Sequence, residues 1–329
     1  MSTFLATLTP MLTLFLCIAV GFIASKTKIL PETSGKTMAK METWIFCPAL
    51  SFMTMARFCT VDSITTHMSN MLLASLAVAV SIGVAILLAR FFAKPGTLEH
   101  GVFSYALAFA NCGYMGDPIV LSLFGENALA YYKLFCLPLH IFIYTWGISV
   151  MTPKSAGKGH ALKRLMNAPT IAIFVGMIVG LTGLTGYLPE FITSALDTLK
   201  SCMGPVAMLL AGVTIAKYPF MSLIKNKKVY IATALRLSVL PALLILVLFG
   251  AKSLVNYLFG MSIGNDGLFL CFFATATPLG LNTVVFPEAY GGKPDTGASM
   301  TMISHTLCVI TIPILYALMV AIFGTPFGV

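Results

Sequence analysis

The chain has 329 residues, of which 58% are apolar and only 9% charged, against about 25% charged in a typical soluble domain. That balance excludes an ordinary soluble protein and predicts an all-α integral membrane protein. The eight cysteines show no C-x-x-C spacing, so neither a metal site nor a disulfide framework is expected, and the net charge of +9 must be read from its placement.

Windows of about 20 apolar residues mark ten spans, near 4–24, 39–57, 68–92, 100–124, 128–150, 169–187, 192–216, 229–250, 267–290 and 297–323. The first is not read as a cleaved signal peptide, because no Lys or Arg precedes Lys26. All cysteines except Cys59 fall inside apolar segments, and Cys59 is expected in a loop. The odd-numbered loops hold Lys26, Lys28, Lys36 and Lys40; Arg90 and Lys94; Lys154, Lys158, Lys163 and Arg164; Lys217, Lys225, Lys227 and Lys228; and Lys293. Those are 15 of the 20 basic residues, whereas the even loops show little beyond Arg57 and Lys252. The bias puts the odd loops in the cytoplasm and both termini outside. Charge placed this way reports topology, not nucleic-acid recognition.

The two halves repeat weakly. Leu30-Pro31-Glu32 follows the first span and Leu188-Pro189-Glu190 the sixth, 158 residues later. Pro10 and Pro169 open those spans, Gly21 pairs with Gly180, and Cys47-Pro48-Ala49 sits where Gly204-Pro205-Val206 does, at a spacing of 157. Five spans per half is odd, so the halves must run in opposite orientations. The expected division is a first repeat over 1–150, a basic cytoplasmic loop over 151–168 and a second repeat over 169–329.

The fourth span contains Asn111-Cys112-Gly113-Tyr114-Met115-Gly116-Asp117-Pro118. Pro118 supplies no N–H to a helix, and Gly113 and Gly116 loosen the backbone around it. Non-helical backbone survives at membrane depth only where protein or water satisfies it, so this is read as a broken helix lining a cavity. The ninth span breaks in the matching place, at Thr275-Ala276-Thr277-Pro278-Leu279-Gly280-Leu281-Asn282, with Tyr290-Gly291-Gly292 beyond it. Paired breaks in an inverted repeat predict a substrate-binding crossover.

The half-helix N-termini created by such breaks attract a carboxylate. Asn111 and Asn282 could add amide donors or cap the broken backbone. Thr275 and Thr277 offer hydroxyls, Tyr114 a phenol and a ring face. The substrate-binding set is therefore Asn111, Gly113, Tyr114, Pro118, Thr275, Thr277, Pro278 and Asn282. Asp117 is read as an isolated acid, the only carboxylate near the middle of a span, and is an ion-coupling candidate alongside His140 and His305 in the fifth and tenth spans. Its alternative role is to cap the break beside Pro118. Lys133, Asp197, Lys200 and Arg236 are placed nearer span ends, snorkelling or pairing locally. The 19 methionines do not cluster with His or Cys, so copper is not expected.

The motif Asn111-x-Gly113-Tyr114-Met115-Gly116-x-Pro118 with Phe124-Gly125, and Pro278-x-x-x-Asn282 with Tyr290-Gly291-Gly292, resembles the fourth- and ninth-helix motifs of the auxin efflux carrier family, in its bacterial branch. The resemblance covers essentially the whole chain. It implies transport of small organic anions such as malate, malonate, lactate or oxalate, and the crossed-helix fold shared with bile-acid symporters and sodium/proton antiporters. Asp117 departs from that pattern, where the position is more often apolar.

The expectation is thus a ten-helix permease of two inverted five-helix repeats in the cell membrane. It would move a mono- or dicarboxylate by alternating access, without a cofactor, with proton or sodium as the coupling ion and a homodimer left open. No P-loop points to ATP, and no clustered catalytic set points to an intramembrane enzyme. A coupled symporter or antiporter for another substrate, or a receptor on the same scaffold, are the alternatives.

Overall fold

Helices account for nearly all of the secondary structure in the computed structural model, which describes residues 2–151, 168–219, 225–259, 264–280, 282–284, 287 and 295–328. Helix α1 (Ser2–Lys26) is followed by α2 (Ser34–Met41), which runs through a π-turn over Glu42–Phe46 into α3 (Cys47–Phe58). Then come α4 (Val61–Ala89) and α5 (Leu98–Ala108), the latter started by the Thr97 hydroxyl accepting from the His100 N–H at 3.2 Å. A π-turn over Cys112–Gly116 opens α6 (Asp117–Phe142), and a further π-turn over Ile143–Gly147 leads to α7 (Ile148–Met151). The second half comprises α8 (Ala168–Leu181), α9 (Glu190–Ala216) and α10 (Lys227–Ala234). A π-turn over Leu235–Val239 then precedes α11 (Leu240–Phe259), followed by α12 (Asp266–Ala276) and α13 (Asp295–Phe323).

Three of these π-turns share a cause in the sequence. Each ends two residues before a proline: Phe46 before Pro48, Gly116 before Pro118 and Val239 before Pro241. A proline gives no N–H to the carbonyl four residues back and its ring crowds that carbonyl, so the preceding turn widens. The widened turns carry Glu42, the Asn111–Asp117 break and Arg236. Glu42, Asn111 and Arg236, buried polar residues all, thus sit at backbone irregularities.

Among the described residues, five stretches are long and apolar enough alone to cross a bilayer: Met68–Ala89, Cys112–Met151, Glu190–Ala216, Lys227–Leu258 and Asp295–Phe323. The second is 40 residues long and turns at Gly125, whose φ of 80° and ψ of −173° leave the helical region, so it makes two segments. Helix α12 is shorter because it stops at the break. Leu16, Phe91, Leu246 and Ile322 are more than half exposed, as expected of a surface meeting lipid chains.

The most extensive helix contacts are α1 along α9 and α3 along α8. Both rely on glycine. A Cβ at Gly180 would stand 2.6 Å from the carbonyl oxygens of Met55 and Cys59, and one at Gly176 2.6 Å from that of Phe52. Gly21 and Gly212 likewise face backbone of α9 and α1. Small residues at such seams let helix backbones approach, and close van der Waals packing replaces the hydrophobic drive that lipid removes. In the rest of the molecule, α4 packs on α5 and α6, and α11 on α12 and α4.

Cys59 lies at the end of α3 as expected for a loop approach, but its side chain is fully buried. The basic segment Lys154–Arg164, the Tyr290-Gly291-Gly292 motif and Lys293 lie outside the described residues.

Candidate functional site

The two breaks meet. Helix α5 stops at Ala108, the chain runs extended through Phe109, and the Asn111 N–H donates to the Pro278 carbonyl at 2.6 Å. Ala110 and Leu279 form an isolated antiparallel bridge beside that bond. Broken backbone in an apolar interior needs partners, and side chains supply several. Ser81 Oγ donates to the Ala108 carbonyl at 2.7 Å, and the Tyr132 phenol to the Cys112 and Phe273 carbonyls at 3.1 and 3.3 Å. Tyr132 therefore ties both broken segments together. Its hydroxyl occupies the space a Cβ at residue 116 would take, which is why that position is glycine.

Neither asparagine amide caps the backbone among the described contacts. Asn111 makes no side-chain cap bond. Its Nδ2 instead lies 3.4 Å from His305 Nε2, while His305 Nδ1 lies 2.8 Å from the Thr301 carbonyl. A carbonyl can only accept, so Nδ1 carries the proton, and Nε2 accepts from Asn111. Asn282 Nδ2 donates to the Tyr105 hydroxyl at 3.2 Å.

Asn111 and Asn282 line one cavity of about 40 Å³, together with Gly113, Tyr114, Lys133 and His140. At roughly 10–15 Å³ per water this holds about three waters and is too small for an organic acid. Cys112, Gly113 and Tyr114 line the same space, and as the first turn after the break their N–H groups have no intrahelical carbonyl to bond. Of the other expected residues, Pro278 contributes its carbonyl to the crossing and Pro118 packs on Gly204. Thr275 bonds back to the Cys271 carbonyl at 2.6 Å, away from the cavity, and the Thr277 hydroxyl is buried without a partner among the described residues.

Asp117 is not isolated. Its carboxylate is paired with Lys133, and both side chains are only 1% exposed. Lys133 is thus no snorkelling residue: it follows Asp117 by sixteen positions, and the turn at Gly125 folds its helix back alongside the break. Nor is Asp117 the only buried acid of the spans. Glu42 is fully buried, with neither carboxylate oxygen hydrogen-bonded among the described residues. Arg236 is the largest correction. It is 0% exposed, and its three guanidinium nitrogens lack acceptors among the described residues. Asp197 and Lys200 do pair, in a half-exposed network with Arg57 and Glu126: Arg57 reaches Asp197 at 2.6 Å and Lys200 reaches Glu126 at 2.6 Å. The signal that could have found Glu42 and Arg236 is the proline five or six residues downstream of each.

The sequence pattern of one family, described as membrane transport protein, matches residues 6–162 and 157–316. Over 211 residues the chain is also 24% identical to an uncharacterized transporter of Methanocaldococcus jannaschii, covering 62% of this chain and 68% of that one. Two interrupted segments thus meet in the interior of a helical protein. With nearly its whole length matched, this chain belongs to the membrane transport protein family, that of the auxin efflux carriers, and is a multi-pass membrane transporter.

Proposed function

We propose that this protein is a secondary carrier for a small organic anion, which it binds where the two breaks cross and moves by alternating access. The observation that carries the reading is the crossing itself, the Asn111 N–H to Pro278 carbonyl bond with both asparagines on one cavity. Free N–H groups at the start of a broken helix favour a carboxylate. Two neutral amides add donors without a fixed charge that would hold the anion against release.

The proposed architecture is ten spans in two inverted repeats. The pairing of helices supports it. α1 lies on α9 and α8 lies on α3, so the first span of each half packs on the second span of the other. Gly21 and Gly180, matched in sequence, each meet the backbone of that partner. The four helical segments so joined form one bundle. The broken helices and their neighbours form the other, and the motion is of one bundle against the other. Both termini lie outside the cell membrane in this reading.

Coupling is assigned to Asp117 with Lys133, and to His305 through Asn111. A proton or sodium ion arriving at Asp117 would loosen its hold on Lys133, which lines the cavity. A proton on His305 Nε2 would turn the acceptor of Asn111 into a donor and free the amide. The test is uptake into proteoliposomes over a panel of mono- and dicarboxylates, with and without sodium and pH gradients. Saturable uptake of at least one carboxylate is the expected result. Protein that is folded and inserted yet moves none of them contradicts the proposal.

A further inference from the structure

The charge network of Arg57, Glu126, Asp197 and Lys200 bridges the two bundles. Arg57 lies in the last turn of α3, and Asp197 and Lys200 lie on α9, so these three belong to the bundle of α1, α3, α8 and α9. Glu126 belongs to the other bundle, as the first residue after the turn at Gly125. Phe124 anchors that turn: its ring packs edge-on against Phe273 of α12 and Tyr316 of α13, with centroids 5.6 and 6.1 Å apart. From there the Glu126 carboxylate reaches across with one oxygen to each cation, Lys200 at 2.6 Å and Arg57 at 3.6 Å. Asp197 holds the same two cations within their own bundle, Arg57 at 2.6 Å and Lys200 at 3.6 Å.

The bridge lies on the seam that borders the cavity. Lys200 precedes Met203 by three residues and Gly204 by four, so the three share one face of α9. Met203 lines the cavity, and a Cβ at Gly204 would stand 3.1 Å from the Pro118 ring. One turn further toward the start of α9 the same seam ends in the ion pairs with Glu126. Opening the cavity toward that end draws α9 away from the Gly125 turn and separates Glu126 from both cations. We propose that Glu126, with Arg57 and Lys200, is a latch that keeps the cavity closed on this side of the membrane and is released once in each transport cycle. This rests on the alternating-access reading above. The exposure of the pairs suits that use. Glu126 is 36% exposed, so water competes for its charge, and each such pair shifts an equilibrium by only about 1.5- to 5-fold. A fully buried pair such as Asp117 with Lys133 would not let go on that scale.

The test uses Cys112, which lines the cavity and is 2% exposed, as a native reporter. An impermeant thiol reagent is applied to the side from which Asp62→Cys reacts, since Asp62 follows Arg57 by five residues and marks the latch side. Labelling of Cys112 is followed by peptide mass mapping. In Glu126→Gln the labelling rate should rise about 2- to 30-fold over wild type, the effect of losing two half-exposed pairs. Asp197→Asn leaves both bonds between the bundles in place and should not raise it. High salt should bring wild type toward the Glu126→Gln rate, because it screens exposed pairs, with Asp62→Cys correcting for the reagent's own salt dependence. That arm needs no substitution at the latch, so it decides the matter even if Glu126→Gln fails to fold. The latch is overturned if folded Glu126→Gln labels no faster than wild type, if Asp197→Asn speeds labelling as much, or if salt leaves the wild-type rate unchanged. The readout needs no cargo. Faster labelling in a protein that moves no carboxylate keeps the latch and overturns the anion reading, whereas equal labelling in one that does move carboxylate overturns the latch alone.

Discussion

At the residue scale, the Asp117–Lys133 pair is the feature with the plainest energetic consequence. Removing one partner of a buried ion pair leaves a charge unmatched and costs about 3–5 kcal/mol, whereas replacing both by apolar residues is often neutral. Lys133→Met and Asp117→Asn should therefore each lower the melting temperature markedly, and the double variant should recover most of the loss. Thermal melting of the purified carrier checks this, and a double variant no more stable than the singles would show the pair is not the cause. The double variant also serves the coupling question. It should still bind substrate but no longer accumulate it against a gradient, so undiminished gradient-driven uptake would leave the pair purely structural. That Asp117 has a partner was not legible in the sequence, because the partner lies sixteen residues on and the turn at Gly125 brings it back. Hydropathy windows tolerate one charge and carry no information on which face bears it. For that reason Lys133 and Arg236 were expected near span ends but lie in the interior.

At the element scale, the breaks were legible and the widened turns were not. Asn, Gly, Asp and Pro within eight residues cannot continue a helix in lipid, so the interruption at Asn111–Pro118 and its match at Thr275–Asn282 follow from composition alone. A lone proline such as Pro48 or Pro241 predicts only a local distortion, and its form depends on the turn before it. Glycine's part at the helix seams also emerges only in three dimensions. Gly180 faces two carbonyl oxygens of α3, so Gly180→Leu should separate α8 from α3 and lower stability by about 1–3 kcal/mol, the usual range for overpacking. Gly250, which meets nothing within 4 Å, should accept leucine with little change. Melting temperatures of the two variants decide it; equal destabilisation would mean the seam is not tight. Gly116→Ala should act differently, displacing the Tyr132 phenol from the two carbonyls it joins. It should impair transport more than it impairs folding, measured as uptake per inserted molecule.

At the scale of the whole molecule, the basic-residue asymmetry and the fold make a joint prediction about orientation. Cys59 is buried and cannot report it, but Asp62 and Lys94 are exposed on segments expected on opposite sides. Asp62→Cys should react with an impermeant thiol reagent from outside intact cells, and Lys94→Cys only after permeabilisation. The reverse pattern would invert the topology. The cavity of about 40 Å³ also implies movement, since it must widen before a carboxylate can enter. The central claim is that the two asparagines hold the anion at the crossing, and it is tested most directly by substrate affinity in folded Asn111→Ala and Asn282→Ala, with Asn111→Asp beside them. A lost hydrogen bond to a charged group should weaken binding about 10- to 150-fold for each alanine variant, and Asn111→Asp should be worse than Asn111→Ala because like charge opposes the substrate. Unchanged affinity in both folded alanine variants would put the anion elsewhere and leave the crossing as a hinge.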